Sequence, residues 1–178
     1  MFSPAHMMRI AFRRAFLVAL TVAGLLPATF AFAARETVSF DGYSPGTIVV
    51  KTGERRLYYV LGGGKAVRYT VGVGRAGKSW TGSVFITGKF RNPDWSPPDD
   101  VKRDNPRLPH VIKGGTPENP MGVAAMTLSG GGQYAIHGTN RPGSVGGFVS
   151  YGCFRMYNDD ITDLYNRVWI GTPVVVTR

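Results

Sequence analysis

The chain has one cysteine, and the residues around it are of the types that covalent thiol chemistry needs. Cys153 lies in the run Ser150-Tyr151-Gly152-Cys153-Phe154-Arg155, sixteen positions after His137. A single cysteine can form neither an internal disulfide nor a multi-cysteine zinc site. Two interpretations remain, an inert buried thiol or a reactive nucleophile.

A thiol attacks only as the thiolate, so it needs a base or a positive environment. His6 lies near the N-terminus, His110 in a proline-rich stretch, and His137 in the segment that leads to Cys153. A strand that ends at His137, followed by a glycine-rich loop, can bring the imidazole within hydrogen-bond reach of the thiol. His137 is therefore the candidate base.

The residues beside the cysteine add two further functions. Gly152 allows a tight turn that presents consecutive N–H groups as an oxyanion hole, in which one donor accounts for about 3 kcal/mol of barrier. In an extended stretch Arg155 points to the same face as Cys153, where its guanidinium can hold a carboxylate. Each residue taken alone is more often structural, and their combination is what favours a catalytic site.

The N-terminal segment, residues 1–33, has the pattern of a secretory signal peptide. Arginines precede an apolar run from Ala15 to Leu26, which is too short for a comfortable membrane span, and small residues follow. The pair Arg13-Arg14 also fits a twin-arginine signal, so the Sec and twin-arginine routes both stay open. We expect export to the periplasm or cell wall, with residues 34–178 as one domain and no stable membrane insertion after cleavage.

The charge balance is strongly basic, with a net charge of +10. Without the three arginines of residues 1–33, 18 basic and 11 acidic residues leave +7 for the rest. Export makes nucleic acid an unexpected partner and an anionic surface or wall polymer a suitable one, although the charge can also serve solubility alone. An unpaired cysteine is unusual in an oxidising compartment, which favours the reactive interpretation of Cys153.

The elements that must position these residues are mostly strands. Branched and aromatic runs predict strands at 47–51, 56–60, 66–73, 83–90, 122–128, 134–136 and 174–176. Residues 158–168 place Ile161, Leu164, Tyr165 and Val168 on one face, which predicts a C-terminal helix. Residues 91–120 hold seven prolines and predict a long loop or flap, with one short helix near 99–103.

Several separated motifs resemble those of a known family. His137-Gly138-Thr139 followed by Ser150 to Met156 closely resembles the signature of the L,D-transpeptidase catalytic domain, the YkuD-type family. Residues 92–98 and 119–122 resemble other recurrent stretches of that family, and the resemblance covers most of residues 46–177. It implies a mainly β fold, a β-sandwich or barrel-like domain, with the cysteine in a cleft under a flap.

The resemblance also implies a reaction on peptidoglycan stem peptides, as donor and as amine acceptor. The Cys153 thiolate would attack the carbonyl of the third stem residue, the D-residue at position four would leave, and a second amine would take the acyl group. The family implies neither a cofactor nor a metal, and it implies carbapenems as covalent inhibitors.

Roles for single residues follow from the same resemblance. His137 would act as base and then acid, oriented by the Gly138 carbonyl, and the amides of Gly152 and Cys153 would form the oxyanion hole. Arg155 would bind a substrate carboxylate. Substrate contacts are expected from four residues in all: Arg155, Ser150, Tyr151 and Thr139.

The chain departs from the family pattern at two places. Tyr151 stands where many members have histidine, which can alter substrate fit without removing the base. The usual Thr-Pro-x-Gly stretch is present as residues 79–82, Ser-Trp-Thr-Gly, without the proline. The second departure concerns local loop geometry rather than chemistry.

Other functions compatible with these residues stay open. An L,D-carboxypeptidase would use water as the acceptor, and a related enzyme would attach the acyl group to a lipoprotein lysine or cut such a link. A non-catalytic wall-binding domain would keep the fold without the reaction. A secreted cysteine protease would use the thiol but would leave the upstream motifs unexplained.

Overall fold

Strands make up most of the regular secondary structure in this computed structural model, which describes residues 35–131 and 133–178. The predicted signal segment, residues 1–33, lies outside the described residues. The helices are α1 (Asp99–Asp104) and α2 (Asn158–Arg167), with a 3-10 turn at Pro142–Ser144. The strands are β1 (Glu36–Ser39), β2 (Ile48–Lys51), β3 (Arg56–Gly62), β4 (Lys65–Thr70), β5 (Val73–Gly74), β6 (Gly82–Arg91), β7 (Ala124–Leu128), β8 (Ala135–His137), β9 (Phe148–Ser150), β10 (Phe154–Arg155) and β11 (Pro173–Thr177).

One hydrogen-bonded sheet has the strand order β1-β4-β3-β2-β11-β6-β7-β8-β10, and β5 pairs with β9 separately. The pairs β2–β11 and β8–β10 are parallel, and the other pairs of the large sheet are antiparallel. The ten-residue strand β6 pairs with β11 through its first half and with β7 through its second. A register shift between Ile86 and Gly88 separates the halves, and such irregularities bend and twist a strand.

The main core lies between the two halves of this sheet. Val50 and Val174 from one half belong to the same buried cluster as Met126 and Ile136 from the other. Val49 faces a second, smaller cluster on the opposite side of β2, because successive strand residues point to opposite faces. The prediction of a mainly β, sandwich-like or barrel-like domain is confirmed.

Most predicted elements coincide with observed ones. Six of the seven predicted strands match β2, β3, β6, β7, β8 and β11 within two residues at each end, and the C-terminal helix matches α2. The seventh, 66–73, is divided into β4 and β5. The short helix expected near 99–103 is α1. Among the described residues, no helix is both long and apolar enough to cross a membrane.

The proline-rich flap is anchored at its base by polar contacts. Trp95 and Ile112 pair through their backbones. The buried Asn119 amide donates to three carbonyls within the flap at 2.9 to 3.1 Å, those of Pro93, Ile112 and Lys113. These bonds join the two ends of the flap, so that residues 92–98 and 119–122 lie side by side.

Candidate active site

A cleft of about 340 Å³ lies where the flap, β8 and the turn before β10 meet. Five of the residues singled out from the sequence line it: His137, Ser150, Tyr151, Cys153 and Arg155. The flap contributes Trp95, Pro98, Pro120 and the first residues of α1, and Met121, which directly follows the flap, also lines the cleft. Three other singled-out residues, Gly138, Thr139 and Gly152, do not line this cleft.

The turn that carries the thiol requires glycine at position 152. Gly152 has a φ of +122°, and a Cβ there would lie 2.4 Å from Cε1 of Tyr134. The buried Ser150 hydroxyl accepts from the Gly152 N–H at 3.1 Å and donates to the Cys153 carbonyl at 2.6 Å. Ser150 lines the cleft, but its hydroxyl is engaged in holding this turn.

Trp80 supports the same turn from outside the cysteine motif. Its Nε1 donates to the Gly152 carbonyl at 2.9 Å, and its ring stacks on Tyr134 with centroids 4.9 Å apart. Ser79 Oγ donates to the Gly74 carbonyl at 3.1 Å, so the stretch without proline still has a defined geometry. Trp80 was not among the residues singled out from the sequence, although an aromatic residue in the stretch that departs from the family pattern was a usable signal.

His137 is buried at the end of β8 and is held in one tautomer. Its Nδ1 lies 2.6 Å from the Gly138 carbonyl. Because a carbonyl only accepts, Nδ1 donates its proton there, and Nε2 keeps a free lone pair. Burial lowers the pKa of His137 to about 4; the positive charge of Arg155 contributes, and the backbone carbonyls of Gly138 and Pro120 oppose the shift. The imidazole is therefore neutral at pH 7.

Cys153 is half-buried, and its thiol hydrogen bond goes to the backbone. Sγ donates to the Gln133 carbonyl at 3.7 Å; within the described part of the chain no bond joins it to His137. Burial raises the pKa of the Cys153 thiol, while a backbone contact with Ala135 and the charge of Arg155 oppose the rise. The resting site thus pairs a protonated thiol with a neutral imidazole.

The two amides expected to form an oxyanion hole differ in availability. The Gly152 N–H already donates to Ser150 Oγ. No acceptor for the Cys153 N–H is found among residues 35–131 and 133–178. Of the two, the Cys153 amide is the one free to bind a developing negative charge.

Arg155 places a half-buried positive charge beside the histidine. The parallel pairing of β10 and β8 puts Arg155 in register with His137. Its Nη1 donates to Ser144 Oγ at 2.9 Å, and its buried Nε has no hydrogen-bond partner among the described residues. A buried N–H of this kind is rarely left unpaired, so the site suits an anionic or carbonyl group of a ligand.

Thr139 and Gly138 connect the histidine to α2 instead of facing the cleft. The Thr139 N–H donates to Asn158 Oδ1 at 3.0 Å, and the buried Thr139 hydroxyl accepts from the Arg141 N–H at 2.9 Å. A Cβ on Gly138 would lie 2.4 Å from the same Asn158 oxygen. Asn158 thus positions the histidine segment, a role that its place at the helix start did not reveal.

Comparisons with known proteins show the family to which the chain belongs. The family model described as the L,D-transpeptidase catalytic domain, YkuD, matches residues 45–176. The chain belongs to this L,D-transpeptidase family. The Escherichia coli (strain K12) protein named "Probable L,D-transpeptidase ErfK/SrfK" is 38% identical over 138 residues, which are 72% of this chain and 43% of that protein. The chain therefore spans less than half the length of that relative.

A second relative and two solved structures extend the comparison. The Bacillus subtilis protein that bears the name YkuD is 33% identical over 140 residues, covering 78% of this chain and 70% of that protein. An LD-transpeptidase in complex with imipenem, LdtMt1, shares the fold with a TM-score of 0.56 at 15% identity, over 74% of this chain and 58% of that one. A Brucella melitensis structure described as a probable carnitine operon oxidoreductase is 40% identical, with a TM-score of 0.54, over 81% of this chain and 93% of that one.

Tyr151, which stands in the cysteine motif where histidine was expected from the family resemblance, contacts the flap. Its hydroxyl donates to the Asp104 carboxylate at the end of α1. The guanidinium of Arg75 lies 4.0 Å from the centre of its ring. Tyr151 therefore lines the cleft and also binds the element opposite the thiol.

Proposed function

We propose that this chain is a cysteine-dependent L,D-transpeptidase that acts on peptidoglycan stem peptides. One observation carries the proposal: Cys153, His137 and Arg155 line a single cleft in a member of this family. The neutral resting pair requires that the thiolate form only when a base removes the thiol proton. Nε2 of His137 has the free lone pair for that step.

The first half of the reaction transfers the acyl group to the enzyme. Cys153 gives its proton to His137 Nε2, and Sγ bonds to the carbonyl carbon of the third stem residue. The resulting oxyanion accepts from the Cys153 N–H, and one such donor contributes about 3 kcal/mol. When the peptide C–N bond breaks, His137 returns the proton to the leaving amine of the D-residue, and a thioester remains on Cys153.

The second half transfers the acyl group to an amine. The acceptor amine attacks the thioester carbonyl and loses a proton to His137, and the C–S bond breaks. The sulfur leaves as a thiolate, which regains a proton from the imidazole. Stem amines give a cross-link between two third-position residues, and water as acceptor would give a carboxypeptidase.

Arg155 is the proposed contact for a substrate carboxylate. Its buried, unpaired Nε and its charge match an anionic group, and the same charge favours the thiolate form of Cys153. In this account Ser150 and Thr139 act through the backbone that they hold, and Gly152 acts through the turn. Tyr151 remains a candidate for direct contact with substrate.

Carbapenems are proposed as covalent inhibitors, since their strained carbonyl can acylate the same thiol. A solved structure of the same fold holds imipenem, which supports this view by analogy. The proposed location is outside the cytoplasm, after removal of residues 1–33. The catalytic domain would then comprise residues 34–178.

The test is to incubate the purified chain with tetrapeptide muropeptides, with and without an added amine acceptor, and to identify products by mass. The proposal predicts release of the terminal D-residue together with a product joined to the acceptor. Tripeptide alone in both reactions would indicate a carboxypeptidase. Unchanged muropeptides, with no bound product, would contradict the proposal.

A further inference from the structure

The helix α1 forms the outer wall of the cleft, and polar contacts hold it there. None of its six side chains is buried, and Asp99, Asp100 and Val101 line the cleft. Elements with few buried apolar contacts open locally at low free-energy cost. Of the cleft's surroundings, α1 is therefore the part best suited to move.

The C-terminal end of α1 is joined to the turn that carries the thiol. Asp104 Oδ2 accepts from Arg75 Nη2 at 2.6 Å and also accepts from the Tyr151 hydroxyl. Arg75 lies over the Tyr151 ring at 4.0 Å, within the range of a cation–π contact. Since Tyr151 is two residues before Cys153, these three side chains couple the helix to the nucleophile's own turn.

The other end of α1 has a second bridge to the same loop. Asp100 pairs with Lys78 Nζ, three residues after Arg75. Asp100 also pairs with Arg103 at 3.0 Å, but that contact stays within the helix and bridges nothing. The two bridges therefore fasten both ends of the helix to residues 75–78.

We propose that Asp104, Arg75 and Tyr151, together with the Asp100–Lys78 pair, form a latch that holds α1 closed and that ligands enter when it opens. The side chains of Arg75 and Asp104 are 44% and 43% exposed. Exposed pairs are weak and are screened by salt, so the latch opens readily and responds to ionic strength. These are positioning residues, because they control the wall and need not touch the reacting atoms.

The latch includes contacts made by Tyr151, the residue that stands where many family members have histidine. Its phenol donates to a carboxylate while its ring faces a guanidinium. Phenylalanine at this position would keep the contact between ring and guanidinium and lose the hydrogen bond to the carboxylate. Tyr151→Phe therefore separates the hydroxyl from the ring.

Because the chain has a single cysteine, every thiol adduct forms on Cys153. The rate of adduct formation therefore reports how easily a reagent passes α1 to reach this thiol. The experiment compares alkylation rates with iodoacetamide and with a bulky maleimide on the purified chain. Both reagents need the thiolate, so the ratio of bulky to small rates reports access and not ionisation. No substrate is involved, so the outcome is independent of the proposed transpeptidation.

The latch predicts that Asp104→Ala raises this ratio about two- to fivefold, as expected for the loss of one exposed cluster. Tyr151→Phe should raise it less, and Asp104→Glu should keep it near the original value. High salt should raise the ratio in the original chain and have a smaller effect in Asp104→Ala, where only the Asp100–Lys78 bridge remains to be screened. Arg103→Gln removes an exposed charge from the same helix, together with its pair with Asp100, but leaves both bridges to residues 75–78 in place, and it should leave the ratio unchanged.

Hydrogen exchange supplies the second readout. The Asn105 N–H, which donates to the Val101 carbonyl at the end of α1, should exchange faster in Asp104→Ala than in Arg103→Gln. An unchanged labelling ratio in Asp104→Ala would overturn the proposal. Faster exchange without a change in the ratio would also overturn it, because the wall would then move without controlling access to the thiol.

Discussion

The two sides of the cleft are held by different kinds of interaction. The inner wall, residues 134–137 and 150–155, contains the buried His137 and Ser150 and a glycine packed against an aromatic ring. The outer wall, α1, buries no side chain and is joined to the domain by exposed ion pairs. Packing thus fixes the positions of the reacting groups, while weaker polar contacts are left to control access.

The two walls also differ in what determines the charge of their titratable groups. On the inner wall, burial is the first cause of both shifts, lowering the pKa of His137 and raising that of Cys153 so that each rests neutral. On the outer wall, hydrogen bonds from Tyr151 and then Arg75 lower the pKa of Asp104 and keep it ionised. Chemistry and access therefore respond to different conditions, the first to protonation and the second to salt.

The largest effect expected on the inner wall comes from Cys153→Ala. Without the thiol, release of the D-residue from tetrapeptide stems should fall by more than about a thousandfold, since the nucleophile carries the acyl group. Circular dichroism should show an unchanged fold, because the substitution removes a single side-chain atom. Undiminished release in this variant would remove Cys153 from the proposed role.

A second inner-wall prediction concerns Gly152→Ala. A methyl group there meets Tyr134 at 2.4 Å and forces a non-glycine residue to a φ of +122°. Overpacking and strain together should lower the free energy of unfolding by about 3 to 4 kcal/mol in urea titrations. Gly42→Ala is the matched control, because Gly42 has a φ of +90° but no atom of residues 35–131 or 133–178 lies within 4 Å of its added Cβ. Equal losses in the two variants would show that packing against Tyr134 contributes nothing.

The buried histidine predicts a pH dependence of stability. Between pH 6.5 and about 4 the unfolded chain binds a proton at position 137 that the folded chain does not. Stability from this group is therefore complete above pH 6.5 and decreases as the pH falls, by up to about 3 kcal/mol. Urea unfolding of the original chain and of His137→Gln, each at pH 7 and pH 4.5, measures this loss of stability. The same change with pH in both proteins would contradict the burial of a neutral imidazole.

The smallest effect is expected on the outer wall. Asp104→Ala should shift the thermal midpoint by no more than about 2 °C, because exposed substitutions scarcely change global stability. Differential scanning calorimetry of this variant beside Arg103→Gln measures the shift. A large loss would mean that the latch holds the core together, and the contrast between the walls would fail.

The strands and α2 could be predicted because their runs of apolar residues are local features. Their partners could not, since β2 pairs in parallel with β11, more than a hundred residues away, and its run Ile48-Val49-Val50 is buried on both faces. Such a run does not indicate which neighbour lies beside it. The fold class was therefore accessible from the sequence, whereas the strand order was not.

The candidate site likewise contains residues that could be predicted from the sequence and contacts that could not. Cys153, His137 and Arg155 were found because their chemistry is visible in the residue type. The turn-holding hydrogen bonds of Ser150 and the packing of Trp80 were missed, because only the folded backbone decides which partner a hydroxyl or an indole meets. The difference in availability between the Gly152 and Cys153 N–H groups has the same origin.

The central claim is that Cys153 carries the acyl group of a peptidoglycan stem, and intact-protein mass spectrometry tests it most directly. The chain is mixed with a tetrapeptide stem, without acceptor, and quenched in acid within seconds. We expect a mass increase equal to the stem minus its terminal D-residue, located on Cys153 and absent from Cys153→Ala. Release of the D-residue with no adduct on Cys153 at any time, or an adduct that persists in Cys153→Ala, would contradict it.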